Sequence, residues 1–157
     1  MAANTLDTPW RQSHTGYWLA QASARFDARV LALMATNDSV PLALANLAAR
    51  GHLTASHVHI TRHLALAGSR LTDLAARAGV SKQAMGKLVD QCEAWGLVQR
   101  QCDARDARAC LVVFTPAGLS WLQAFKEAVT QAQTELQEAV GPEVATVMAL
   151  GLEVYAA

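Results

Sequence analysis

Residues 71–96 read LTDLAARAGVSKQAMGKLVDQCEAWG. Leu71 to Ala78 forms a short helical piece that stops at Gly79, and Ser81 caps a new helix after a three-residue break. In that second helix Met85, Leu88, Val89 and Cys92 recur at intervals of three, four and seven, which places them on one stripe. Lys82, Gln83, Gly86, Lys87, Asp90 and Gln91 fall on the other face. One stripe belongs to a core and the other is free for a partner, the grammar of a helix-turn-helix.

Downstream, Gly96 ends the helix and the pattern switches to period two. Leu97 to Gln101 and Ala109 to Thr115 read as strands, with the polar CDARDAR between them as a hairpin tip. A helix-turn-helix followed by a hairpin is a winged helix. Thr115 and Pro116 are the cap and first residue of the next helix, in which Leu122, Phe125, Val129, Ala132, Leu136 and Val140 form a coiled-coil-like seam. Gly141 and Pro142 break it, and Glu143 to Tyr155 forms a last helix carrying Val144, Val147, Met148 and Val154.

Upstream, Met1 to Thr15 is a polar arm in which Trp10 suggests local packing. From Gly16, Trp18, Ala22, Phe26, Val30 and Leu33 repeat as one amphipathic face, with Arg25 and Arg29 on another. Asn37 to Pro41 interrupts that helix, a short helix from Leu42 to Arg50 ends at Gly51, and Thr54 caps a further helix to about Ala67, stopped by Gly68. The expected fold is mainly α with a small β-hairpin wing, in one domain. Residues 16–68 supply N-terminal helices, 69–115 the winged helix-turn-helix, and 116–157 C-terminal dimerisation helices.

The chain has 157 residues, 52% of them apolar, with nine Gly and four Pro, a balance that favours helices. Thirteen basic and thirteen acidic residues give a net charge of zero, which by itself argues against a polyanionic partner. The distribution reverses that. Residues 1–69 carry five basic and three acidic groups, residues 70–108 seven and five, and residues 109–157 one and five. Cys92, Cys102 and Cys110 are odd in number and lack CxxC spacing, and no leader-like apolar run precedes them, so the expectation is a reduced, cytoplasmic protein without a membrane segment. No GxSxG, HExxH or phosphate-loop motif points to an enzyme.

On the free face, Ser81 and the helix N-terminus suit phosphate, Lys82 and Lys87 suit phosphate or guanine, and Gln83 suits adenine. The bland alternative is a solvated helix face. Gly86 speaks against it, because a mid-helix Gly costs about 0.5–1 kcal/mol against Ala unless something approaches the backbone closely, either DNA or a packed helix. His59 and His63 are four apart, but with no further ligand nearby the reading is no metal, and His57 is a candidate effector-pocket residue with Tyr17 and Trp18. Cys102, beside Arg100 and Arg105, is a candidate for oxidation. The apolar N- and C-terminal helices exceed what one small winged helix can cover, which calls for a second copy of the chain. Two reading helices then require half-sites about 34–36 Å apart and a near-palindromic site. A winged helix turned protein-interaction module is the rival reading, one that few lysines would suit.

This pattern resembles the MarR family of multiple-antibiotic-resistance regulators. Gly16-Tyr17-Trp18-Leu19 is similar to the start of the family's first helix, LTDLAARAGVSKQAMGKLVD from Leu71 to its helix-turn-helix, and DARDARACLVVFTPAG from Asp103 to its wing. The resemblance implies that Asp106 steadies Arg108, that Arg108 enters the minor groove of double-stranded DNA, and that Arg105 assists. It also implies a homodimeric repressor without a cofactor, relieved by a small, often phenolic or aromatic, ligand bound between the dimerisation helices and the winged helix. The chain departs from the family at Cys102 and Ala104, where a proline-containing turn is common, and at Cys92 and Trp95. It has no Cys in the N-terminal helix, where the oxidation-sensing branch keeps one.

Overall fold

The computed structural model describes residues 9–38, 40, 52, 54–103 and 106–157, with backbone alone at 9, 55, 58, 59, 102, 103 and 106–109. After a 3-10 turn at Pro9–Gln12 come α1 (Thr15–Ala35), α2 (Ala55–His63), β1 (Ser69–Arg70), α3 (Leu71–Arg77), α4 (Lys82–Ala94), β2 (Val98–Asp103), β3 (Asp106–Phe114), α5 (Pro116–Val140) and α6 (Pro142–Ala156). The short helix expected at Leu42 to Arg50 lies outside the described residues.

α1 buries Val30 and Met34, with Phe26, Leu31 and Leu33 packed beside them. The expected stripe fails at its start, since Trp18 is 59% exposed and Ala22 is also exposed. Only the C-terminal half of α1 lies on the core, so the first turns stand clear of it. Arg29 grips Glu135 of α5 through two hydrogen bonds, 2.7 Å from Nε and 2.8 Å from Nη2. That pairing pulls the Glu135 carboxyl down to about 2. The link therefore contributes above the usual carboxylate value of about 4.3 and is lost as pH falls toward 2. Arg62 ties α2 to α1 through Asp27 at 2.5 Å.

α2 ends at His63, four residues before the expected Ala67. Leu64 leaves the helical region (ψ 118°), and residues 65–68 close a turn in which Gly68 N–H donates to Ala65 O. Gly68 has φ +89°, and a Cβ there would lie 2.8 Å from Val113 Cγ1. The turn delivers Ser69 and Arg70 into a strand that the period-two pattern did not show. They pair with Val112 and Leu111, giving a three-stranded antiparallel sheet ordered β1-β3-β2. Two residues are too short for any alternation to register; the partner strand imposes the conformation.

The wing strands are longer than expected. Pairing of β2 with β3 runs from Val98↔Phe114 to Asp103↔Asp106, so most of CDARDAR belongs to the strands. α5 starts as read: Thr115 Oγ1 accepts from Gly118 N at 3.0 Å and donates to Gly96 O at 2.5 Å. A Cβ on Gly118 would lie 1.9 Å from Leu97 O, so this glycine lets the wing's root sit directly on α5. The buried face of α5 is Trp121, Ala124, Phe125, Ala128 and Ala132. The expected seam falls to one side of it: Phe125 and Ala132 are buried, Leu122, Val129 and Leu136 are half-buried, and Val140 is exposed. Each residue step turns a helix by about 100°, so a row shifted by one position lies on the rim of the buried face.

α5 and α6 meet at a bend of 117°. Among the described residues no single helix is long and apolar enough to cross a membrane. α6 buries Ala145 alone, leaving Val144, Val147, Leu150, Leu152, Val154 and Tyr155 exposed.

Candidate nucleic-acid interface

α4 folds as its pattern demands. Met85 and Val89 are fully buried, Cys92 is nearly so, and Leu88 packs against the same core. Ser81 caps the helix, its Oγ accepting from Ala84 N at 3.1 Å. The turn before it uses Gly79 at φ +65°, with Val80 N–H returning to Ala75 O. Burial of Cys92 pushes its thiol up to about 12, which keeps it protonated and unreactive.

The opposite face is open. Lys82, Gln83, Lys87, Asp90 and Gln91 are exposed, and Gly86 is half-buried. A Cβ on Gly86 would meet only Leu71 Cδ2, at an ordinary 3.9 Å. Packing of α3 on α4 therefore does not require glycine at this position.

Three arrangements around α4 escaped the sequence reading. Arg100 in β2 donates from Nη2 to Asp90 Oδ1 at 2.6 Å and from Nη1 to Glu93 Oε2, and its backbone N–H donates to Glu93 Oε1 at 3.0 Å. Asp90 and Glu93 lie three apart on one helix face, a spacing that could have signalled a shared partner. The bonds to Asp90 and Glu93, that to Asp90 foremost, raise the guanidinium above its ordinary value. His57, buried in α2, accepts at Nδ1 from Thr54 N at 3.0 Å, which completes a capping box, and its Nε2 meets Gln91 Oε1 at 2.9 Å. Accepting at Nδ1 leaves the proton on Nε2, so His57 donates to Gln91. Its ring also packs on Trp95 at 4.7 Å. Ser69 Oγ accepts from Arg77 Nη2 at 2.5 Å and from Ala65 N at 3.2 Å, fastening β1 to the end of α3.

Of the expected wing residues, Asp106 and Arg108 lie on β3 by backbone, and Arg105 falls outside the described residues. Cys102 stands opposite Cys110 in the β2–β3 register. Tyr17 and Trp18 contact each other edge-on at 5.1 Å, and Tyr17 also meets His14, whereas the ring contact of His57 is with Trp95. A separate open groove of about 440 Å³ runs along α5 between Leu119, Leu122, Phe125 and Val129, with Lys126 on its edge. Among the described residues no three His, Cys, Asp or Glu side chains group as metal ligands.

A capped second helix with an exposed polar face, a tight turn before it and a hairpin beside it define a winged helix-turn-helix protein. Residues 53–109 match the family model described as MarR family, so this stretch of the chain is similar to that family of regulators. No curated protein sequence matches the chain. In fold the likeness extends over nearly the whole length. The transcriptional repressor CouR, solved with a 23-mer DNA duplex, superposes with a TM-score of 0.67 at 19% identity, covering 99% of this chain and 100% of that one. CouR from Rhodococcus jostii RHA1 bound to p-coumaroyl-CoA gives 0.67 at 20% identity over 92% and 93%. A Mycobacterium tuberculosis MarR family protein in complex with p-aminosalicylic acid gives 0.62 at 21% identity over 92% and 100%.

Proposed function

We propose that this chain is a DNA-binding transcriptional regulator and not an enzyme: a cytoplasmic homodimer that represses from a near-palindromic site and is released by a small aromatic ligand. The observation that carries the reading is the N-capped α4, whose core stripe is sealed while Lys82, Gln83 and Lys87 stand exposed beside the wing. α4 enters the major groove. Ser81 and the helix N-terminus meet phosphate, Lys82 and Lys87 meet phosphate or guanine, and Gln83 reads one base. On β3 Asp106 steadies Arg108, which reaches the minor groove with help from Arg105. The DNA duplex bound to CouR supports this use of the fold.

Mobility-shift titration on the protein's own upstream DNA tests the reading. A regulator binds with an affinity that falls steeply as salt rises, while a protein-interaction module shows no such binding. Within the complex, Gln83→Ala relaxes preference at one base position by about 1–3 kcal/mol, whereas Arg108→Ala weakens all sites alike. Unchanged affinity in Arg108→Ala removes the wing from the mechanism. Gly86→Ala separates folding from recognition. With ordinary space for the added methyl it stabilises the free protein by about 0.5–1 kcal/mol, and it weakens DNA binding if the duplex backbone approaches Gly86. A gain in stability with no loss of affinity places the duplex elsewhere.

For the effector, p-coumaroyl-CoA and p-aminosalicylic acid, the ligands of two structural relatives, both carry a phenolic ring and support a small phenolic ligand. Two places are candidates: the α5 groove, apolar-walled with Lys126 among its lining residues, and the Tyr17–Trp18 pair together with His57, although the ring contact of His57 is with Trp95. A second reading, thiol-oxidation response, rests on Cys102 facing Cys110 across the wing. If peroxide modifies Cys102 while operator binding stays intact, that reading is wrong.

A further inference from the structure

We propose that Arg100 is a positioning residue of the DNA interface: it clamps the wing to the C-terminal half of α4 and is not itself a phosphate contact. The proposal rests on the DNA-binding reading above.

Arg100 sits where the hairpin leaves the core. The two residues at its root, Leu97 and Val98, are buried, while Gln101 one step further is exposed. Burial thus anchors the root but does not fix the direction in which the strands project. Arg100 pairs with Val112, a buried residue of the central strand that also pairs with Ser69 of β1. From this point its guanidinium and its backbone N–H reach two carboxylates on successive turns of α4, through Nη2 to Asp90, and through Nη1 and N to Glu93. Three bonds from one residue to two anchor points restrict rotation of the strand about the helix as a single bond would not.

The charges make a second role for Arg100 difficult. Its two terminal nitrogens are engaged by the carboxylates. Two acidic groups against one cation leave this corner of α4 net negative, an odd choice next to a polyanion unless the carboxylates do mechanical work. Side chains of 32% to 65% exposure contribute little to global stability as ion pairs. The benefit of holding them in register then lies in keeping α4 and the wing in the relative orientation that lets both reach the same duplex.

Two variants decide between clamp and phosphate contact because the alternatives predict opposite signs. On electrostatics alone, Asp90→Asn with Glu93→Gln removes two negative charges and frees Arg100, so binding should tighten. A clamp predicts weakening. We expect this double variant and Arg100→Gln each to lose about tenfold or more in affinity for the upstream DNA. The salt slope of Arg100→Gln stays at the wild-type value, and thermal midpoints move by no more than about 3 °C. Amide hydrogen exchange in the free variants accelerates in β2 beyond Arg100 and in the first half of β3. Equal or tighter binding by the double variant overturns the proposal, as does a slope reduced by about 0.9 in Arg100→Gln, the mark of one lost phosphate contact. If the wild-type protein binds no DNA, it is the DNA-binding reading that fails. Exchange in the free protein then still decides the clamp: unchanged wing protection in Arg100→Gln overturns it, and faster exchange supports it.

Discussion

Trp121→Ala should cost about 3–5 kcal/mol of stability, a large share of the roughly 5–15 kcal/mol that holds a domain folded. Trp121 is the largest side chain in the fully buried set, 2% exposed, and lies on α5 among Ala124, Phe125 and Ala128. Truncation opens a cavity that small neighbours cannot fill, since helix positions occupied by alanine have no side chain to lean inward. The indole also carries a polar tie, with Nε1 donating to Thr61 Oγ1 at 3.0 Å in a buried setting. That bond joins α5 to α2, the helix whose His57 holds Gln91 of the reading helix. Trp121→Phe keeps most of the apolar volume and loses the donor, so it should cost about 1–3 kcal/mol, less when Thr61→Val removes the orphaned hydroxyl as well. Urea unfolding at one fixed protein concentration measures all three. A Trp121→Ala cost under about 1 kcal/mol would mean that α5 is not the central support of the fold.

That residue also shows where sequence reading reaches its limit. The α4 stripe was legible because its apolar positions are Met, Leu, Val and Cys against charged and amide neighbours, and all of them pack as the spacing requires. On α5 the true core row mixes one Trp with alanines, whereas the larger Leu and Val residues one position over mark its rim. Hydrophobic size drew the reading toward the rim because alanine signals helix more strongly than burial. β1 was invisible for another reason: Ser69 and Arg70 have no strand preference, and only Gly68 and the exposed edge of β3 create it. The exposure of Lys82, Gln83 and Lys87 on α4 was legible because it follows from periodicity. Arg100, Asp90 and Glu93 were missed as a group because their meeting depends on the angle between a helix and a strand, which no local pattern encodes. His57, a candidate effector-pocket residue with Tyr17 and Trp18, has hydrogen bonds that cap α2 and hold Gln91, and these depend on the meeting of two helices that no local pattern encodes.

A single Val147→Glu substitution should abolish high-affinity DNA binding without touching the reading helix. α6 contains two charged residues, Glu143 and Glu153, and its apolar side chains stand in the open, with Val147 at 70% and Val154 at 80% exposure. A helix apolar on nearly every side is stable in water when a second surface covers it. In the proposed homodimer that surface is the same helix, or its α5 neighbour, of another copy. A carboxylate at position 147 would then be driven into an apolar contact at a cost of several kcal/mol, enough to separate the protomers. Each protomer keeps its own core, because α6 buries only Ala145 within the chain, so helical circular dichroism should stay near the wild-type value. The operator then meets one reading head instead of two. With so few cations on that head, affinity should fall on the order of 10³-fold, toward the non-specific range. Sedimentation equilibrium and mobility shift on the same preparation read both halves of the expectation. A Val147→Glu protein that remains dimeric, with Val154→Glu behaving alike, would place the interface away from α6. A monomer that still binds tightly would mean that the two half-sites are read independently.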